Sequence, residues 1–132
     1  MKLYLDSSAL VKLVQLEAES GALRRYLRRH SDDVRVTSTL ARVELIRAVA
    51  AGGPRARAHA RRVLARLHQV DLSRELLDDA AGLAPGVALR SLDAVHLAAA
   101  AVLGTDLRAV VTYDHRMAAA ANSLGILVES PR

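Results

Sequence analysis

Short hydrophobic runs alternate along the chain with longer segments in which apolar residues recur at helical spacing. The short runs predict five strands, at residues 3–6, 34–37, 69–72, 109–113 and 126–128. The longer segments predict seven helices, at residues 7–16, 18–30, 39–51, 54–67, 73–83, 91–104 and 115–124. Strands that alternate with helices are typical of a parallel sheet, so the pattern predicts the α/β class.

Local signals set several of the predicted helix boundaries. Gly52, Gly53 and Pro54 separate two helices, because glycine destabilises a helix and proline is tolerated in a first turn. Ser73 and Ser91 are predicted to cap the helices that follow them. No segment has the composition of a linker or repeats another, so we expect a single domain that takes in all 132 residues.

The amino-acid composition limits the kinds of catalytic, metal and nucleic-acid-binding sites that the chain can form. Hydrophobic residues make up 52% of the chain and charged residues 25%, which suits a folded globule. The absence of cysteine excludes disulfides, thiolate metal sites and cysteine nucleophiles, so any metal must be held by oxygen or imidazole. With no Phe or Trp and only three Tyr, stacking platforms for nucleic-acid bases are not expected.

Two features lead us to expect a cytoplasmic protein with no membrane contact. Asp6 interrupts the segment that would have to form the apolar core of a signal peptide. The longest stretch of low charge, residues 94–106, is much shorter than the roughly 20 apolar residues that cross a bilayer.

The net charge of +5 comes almost entirely from arginine, which favours phosphate partners. Two arginine clusters lie on predicted helices, and the residues we single out as candidate RNA contacts are Arg24, Arg28, Arg55, Arg62 and Arg66. Arginines on a helix face bind nucleic-acid backbones well. A solvated helix face explains the same pattern, and the sequence leaves both interpretations open.

Four acidic residues are candidates for a common site. Asp6 and Asp114 follow the ends of predicted strands, where parallel sheets collect their catalytic groups. Asp93 lies in the first turn of its helix, and Glu44 lies on a mostly apolar helix surface where a carboxylate needs a partner. Carboxylates that meet at one edge raise one another's pKa unless a cation is present. All-oxygen ligation suits Mg²⁺ or Mn²⁺, and phosphodiester hydrolysis is the natural use of such an ion.

Each of these acids also has a structural explanation. Asp6 and Asp114 are suited to cap the helices that begin after them, and Asp93 complements the dipole of its helix. Glu44 has arginines within one helical turn with which it can pair. His96, one turn after Asp93, is predicted to be a buried core residue whose polar atoms are satisfied, rather than a residue that orients a carboxylate.

The strings around these acids resemble a known family. They are Asp6-Ser7-Ser8-Ala9-Leu10, Ala41-Arg42-Val43-Glu44-Leu45, Ser91-Leu92-Asp93-Ala94-Val95-His96-Leu97-Ala98 and Thr112-Tyr113-Asp114. Their order and spacing resemble PIN-domain ribonucleases over the whole chain, and more narrowly the VapC toxins of bacterial toxin–antitoxin pairs.

This resemblance implies a PIN-like three-layer α/β/α fold with a central, mostly parallel sheet of about five strands. It also implies an Mg²⁺- or Mn²⁺-dependent endoribonuclease with Asp6, Glu44, Asp93 and Asp114 at the metal. Ser8 and Thr112 match positions that orient those carboxylates in similar proteins. The expected partners are an RNA substrate, a second copy of the chain in a homodimer, and a VapB-type antitoxin whose tail enters the site.

Two other classes remain as alternatives. A phospho-acceptor domain of the receiver type also collects aspartates at strand ends, but it relies on a lysine after a late strand, and no lysine follows Lys12. A catalytically silent PIN-like module would use the same acids only to bind RNA or to accept arginines from a partner protein.

Overall fold

One parallel sheet runs through the centre of the molecule. The computed structural model describes residues 1–83, 85–86 and 88–132. Its strands are β1 (Lys2–Leu5), β2 (Val34–Ser38), β3 (His68–Val70), β4 (Leu107–Val111) and β5 (Val128–Glu129). They lie in the order β3-β2-β1-β4-β5, and every neighbouring pair is parallel.

Helices cover both faces of this sheet. On one face pack α1 (Ser7–Val14), α2 (Ser20–Arg29), α3 (Ala41–Val49) and α4 (Gly53–Ala65). On the other face pack α5 (Arg74–Ala81), α6 (Ser91–Ala101) and α7 (His115–Ser123). The predicted three-layer α/β/α architecture is therefore confirmed. Within the described ranges, no helix combines the length and the apolar character needed to cross a membrane.

The central strand β1 shows why the sheet is buried on both sides. Successive side chains of a strand point to opposite faces, so Leu3 and Leu5 pack among α1 to α4 while Tyr4 packs against α6 and α7. All three residues are fully buried. A strand covered on both faces carries a continuous apolar run, and this is what residues 3–5 supply.

Of the two predicted serine caps, the structure confirms one and contradicts the other. The predicted cap at Ser73 is confirmed, since its side chain accepts a hydrogen bond from the Leu76 amide. The predicted cap at Ser91 is wrong: Arg90 is the N-cap of α6, Ser91 is its first residue, and no side chain caps this end. A 3₁₀ turn at Ala50–Gly52 precedes α4, and Gly53, the first residue of α4, takes the positive φ of 80° that suits a residue without a β-carbon.

The order of the strands defines where a site can form. The chain moves outward from β1 to β2 and β3, then returns to place β4 on the other side of β1. In open parallel sheets, ligands bind at the carboxyl ends of the strands where the strand order reverses. Here that point lies between the ends of β1 and β4, directly before Asp6 and just before Thr112 and Asp114.

Candidate active site

Asp6 is held rigidly at the carboxyl end of β1. Its Oδ1 accepts hydrogen bonds from the Ser8 hydroxyl at 2.6 Å and the Ala9 amide at 3.0 Å, which caps α1. Its Oδ2 accepts a hydrogen bond from the hydroxyl of Thr112, which follows β4. The residue is only 3% exposed, and burial raises the pKa of its carboxyl group despite these donors. A nearby cation would therefore stabilise the ionised form of Asp6.

The hydroxyls that hold Asp6 also fix the backbone around Asp114. Thr112 Oγ1 accepts a hydrogen bond from the Asp114 amide at 3.1 Å, and Ser8 Oγ accepts one from the Tyr113 amide at 2.9 Å. The Oδ1 atom of Asp114 then accepts bonds from two amides at the start of α7. Burial opposes ionisation of Asp114, but these amides and the charge of Arg90 outweigh it and lower the pKa of its carboxyl group.

Glu44 reaches the site from α3 on a separate set of partners. Its Oε1 accepts a hydrogen bond from the Ser7 hydroxyl at 2.6 Å and lies 2.5 Å from Nε2 of His96. The other ring nitrogen of His96 lies 2.7 Å from the buried Tyr4 hydroxyl. Burial acts to raise the pKa of Glu44, but the hydrogen bonds from His96 and Ser7 outweigh it and lower that pKa.

His96 therefore contacts a carboxylate, which is the role that the sequence interpretation considered but did not favour. The residue is buried and its polar atoms are satisfied, as predicted, but its ring contacts the carboxylate of Glu44. The alternative explanation, a pairing of Glu44 with an arginine on its own helix, is not among the contacts of the described residues. Because buried imidazoles almost always have hydrogen-bond partners, a histidine one turn from Asp93 among alanines was the available signal.

Arg90 joins Asp93, the fourth acid, to Asp114. Its Nε donates to Oδ2 of Asp93 at 2.8 Å, and its Nη2 donates to Oδ2 of Asp114. This links the first turn of α6 to the start of α7. The sequence interpretation did not single out Arg90, although its position three residues before Asp93 is the spacing at which helical side chains pair.

The four predicted acids thus lie at one edge of the sheet, and protein donors already contact all four, with Arg90 shared by Asp93 and Asp114. Across the described ranges, no three acidic or histidine side chains converge as ligands of a single ion. Hydrogen bonds from His96 and Ser7 lower the pKa of Glu44 against the effect of burial, and helix amides together with the charge of Arg90 do the same for Asp114, in place of the mutual increase that the sequence argument expected.

The donor set nevertheless fits a hard divalent ion, because each acid is anchored by some of its oxygen lone pairs and keeps others available. Oε1 of Glu44 and Oδ1 of Asp114 accept the hydrogen bonds that fix these two side chains. Among the described residues, the Oδ2 atoms of Asp93 and Asp114 accept hydrogen bonds only from the exposed Arg90. Carboxylate oxygens held in this way are the ligands that Mg²⁺ and Mn²⁺ prefer.

The fold separates the five predicted RNA-binding arginines into those that line a common cavity and those that do not. Arg24 and Arg28 of α2 and Arg66 after α4 line one cavity of about 290 Å³, together with Arg35 and His59. No acidic residue lines this cavity. Arg55 and Arg62 are exposed on α4 and are not part of its lining. The structure therefore brings three of the five candidates together.

Comparison with protein families identifies the class that this sheet and its acidic edge represent. The sequence model of the PIN domain matches residues 3–123. That match includes all four acids and the elements from β1, apart from its first residue, to α7. The chain belongs to the PIN-domain family.

Curated relatives place it further within that family, with the VapC proteins. The chain is 52% identical over 130 residues to Ribonuclease VapC46 of Mycobacterium tuberculosis, covering 98% of this chain and 97% of that protein. It is 43% identical to Ribonuclease VapC35 and 42% identical to Ribonuclease VapC47 of the same species, each alignment covering 98% of this chain and 96% of the relative.

Solved structures agree in fold at low sequence identity. A chain of the Rickettsia felis VapBC2 structure, determined with a DNA fragment from its promoter, superposes with a TM-score of 0.77 at 15% identity and covers 100% of both chains. Mycobacterium tuberculosis VapC20, described as a toxin that cleaves the sarcin-ricin loop, superposes with a TM-score of 0.70 at 16% identity, covering 89% of this chain and 94% of that one.

The Thr112 hydroxyl offers a direct test of the hydrogen bonds that fix the site. We expect Thr112→Val, which keeps the shape of this buried side chain, to lower the free energy of unfolding by about 1–3 kcal/mol, because Asp6 loses a donor inside the protein. Thr105→Val, at an exposed threonine, should change stability by less than about 0.5 kcal/mol. Urea unfolding of both variants provides the measurement, and equal stabilities would contradict the role given to Thr112.

Proposed function

We propose that this chain is the endoribonuclease toxin of a VapBC-type toxin–antitoxin pair, and that it hydrolyses RNA phosphodiester bonds with a divalent metal ion. The observation that carries the proposal is the set of four carboxylates at the carboxyl edge of the sheet, two of them held across the strand-order reversal by Ser8 and Thr112. The curated relatives named Ribonuclease VapC support the same reaction class.

Asp6, Glu44, Asp93 and Asp114 are the residues that would hold Mg²⁺ or Mn²⁺. When bound, such an ion polarises a phosphoryl group and lowers the pKa of a coordinated water, which is the chemistry that phosphodiester hydrolysis needs at neutral pH. The high pKa that burial gives to Asp6 supports a cation at this position, since a positive charge offsets the cost of ionising a buried carboxyl group.

The other polar groups of the site act by holding these carboxylates in place. Ser8 and Thr112 prevent Asp6 from rotating, and His96 with Ser7 does the same for Glu44. A carboxylate whose orientation is fixed before binding loses little entropy when a ligand arrives. We therefore assign Ser8, Thr112, Ser7 and His96 as positioning residues and the four acids as the groups that meet the reacting centre.

For the RNA strand we propose the arginine-lined cavity between α2 and α4 as a backbone contact. It presents the guanidinium groups of Arg24, Arg28, Arg35 and Arg66, and no carboxylate lines it. The helix α1 connects the two regions, since it begins at Ser7 beside the acidic edge and carries Leu13 in the cavity wall. At 1.5 Å per helical residue the separation along α1 is about 9 Å, within reach of a few nucleotides.

We also propose that the chain binds protein partners. Exposed apolar side chains support contact with another protein, here a second copy of the chain and a VapB-type antitoxin. Leu77 and Leu92 are about half exposed, and Leu77 lines a cavity of about 360 Å³ between α5 and α6. Apolar surface of this kind is commonly covered in an assembly.

Asp93→Asn tests the enzyme assignment against a silent binding module. The amide keeps the size of the side chain but removes the negative charge, so we expect the cleavage rate of a fluorescent RNA substrate to fall at least about 100-fold while the circular dichroism spectrum stays unchanged. In the wild type, excess EDTA should stop cleavage and added Mn²⁺ should restore it.

Asp78→Asn is the matched control, because Asp78 is an exposed aspartate of α5 on the helical layer that also contains α6. It should cleave at the wild-type rate. Undiminished cleavage by Asp93→Asn, or cleavage that persists in EDTA, would exclude the proposed mechanism.

The RNA contact predicts a change in salt dependence. Replacing Arg28 and Arg66 with Gln in the Asp93→Asn background should weaken RNA binding and make the plot of log affinity against log salt shallower by about 1.4, since each lost phosphate contact on a single strand contributes about 0.7. Arg61→Gln with Arg74→Gln removes the same charge from exposed sites outside the cavity. Fluorescence anisotropy at several salt concentrations is the measurement, and equal slopes for the two double variants would reject the cavity as the contact.

A further inference from the structure

Of the basic residues that the structure describes, Arg90 is the one that hydrogen-bonds to two of the four acids at once. Its guanidinium group donates one hydrogen bond from Nε to Oδ2 of Asp93 at 2.8 Å and another from Nη2 to Oδ2 of Asp114. Its positive charge also lowers the pKa of Glu44, which lines a cavity of about 230 Å³ together with Arg90, Ser91, Leu92 and Asp93. One side chain thus supplies positive charge to three of the proposed ligands.

The oxygens that Arg90 occupies are the ones left available by the rest of the site. In the part of the chain that the structure describes, Oδ2 of Asp93 and Oδ2 of Asp114 accept hydrogen bonds from Arg90 alone. The second oxygen of Asp114 is already used to cap α7. A metal ion that binds both residues through these oxygens would meet the guanidinium group at the same place.

The side chain of Arg90 can move away from Asp93 and Asp114 into solvent at little cost. It is 57% exposed, and it extends from the N-cap position of α6, where no side chain bonds to the helix end. Ion pairs at such exposure are weak, so moving the guanidinium group into solvent costs little once another cation neutralises the carboxylates. By contrast, Ser8, Thr112 and His96 are held by several contacts each.

We propose that Arg90 is a built-in counter-cation that competes with the divalent ion for Asp93 and Asp114, so that ion binding and the Arg90 contact exclude each other. This inference rests on the proposed metal site and adds to it a determinant of metal affinity. It predicts that the chain binds its ion more weakly than its four carboxylates alone would allow, and that Arg90 stabilises the protein when metal is removed.

The test is Mn²⁺ titration of the full chain, followed by electron paramagnetic resonance, for Arg90→Met, Arg90→Lys and the wild type. Methionine keeps the length of the side chain without charge or donors, and we expect it to tighten Mn²⁺ binding by about 2- to 30-fold, as the loss of two exposed ion pairs implies. Lysine keeps the charge but not the fork that reaches both acids, so its affinity should lie between the other two.

Arg116→Met is the matched control. Arg116 is an exposed arginine in the first turn of α7, and the described contacts of its side chain include neither Asp93 nor Asp114. Removing it changes the net charge equally but should leave Mn²⁺ affinity within about twofold of the wild type. In EDTA, Arg90→Met should melt at a lower temperature than Arg116→Met, and saturating Mn²⁺ should remove that difference.

The titration distinguishes failure of the proposed competition from failure of the proposed metal site. Tighter binding by Arg90→Met alone, with the lower melting temperature in EDTA, supports the competition. Mn²⁺ binding that is equal in Arg90→Met and the wild type, or weaker in Arg90→Met, overturns it while leaving the metal site in place. If none of the four proteins binds Mn²⁺, the metal site and the competition both fail.

Discussion

Negative charge gathered at the carboxyl edge of the sheet is the constraint on which the rest of the site depends. A buried carboxylate is costly unless something positive or proton-donating faces it. The structure meets this cost differently for each acid: hydroxyls for Asp6, helix amides for Asp114, an imidazole for Glu44 and a guanidinium group for Asp93. These donors allow the four carboxyl groups to lie near one another.

The parallel sheet is what makes this gathering possible. Because β1 and β4 are neighbours and run in the same direction, Asp6 and Thr112 leave the sheet side by side although more than 100 residues separate them in sequence. The same hydroxyl that donates to Asp6 accepts from the backbone that leads to Asp114. The fold and the site therefore share hydrogen bonds, and a change in one affects the other.

The parts of this structure that could be predicted from sequence are those set by local pattern. Alternating hydrophobic runs such as residues 3–5 predicted the parallel sheet, and strand-end positions predicted that Asp6 and Asp114 share an edge. The contacts of Glu44 could not be predicted in the same way. They depend on how α3 and α6 pack, which brings His96 to a carboxylate 52 residues earlier in the chain. Arg90 was missed because the N-cap of α6 was assigned to Ser91, although the cap is Arg90 itself.

The central proposal is that these four carboxylates bind a divalent cation. Crystals grown with Mn²⁺ and measured at a wavelength where manganese scatters anomalously test it most directly. The account predicts an anomalous peak between the strand ends, about 2.0–2.3 Å from carboxylate oxygens that include those of Asp6, with Arg90 turned away from Asp93 and Asp114. A crystal at saturating Mn²⁺ with no peak at this edge, and with Arg90 still joining the two aspartates, would contradict it.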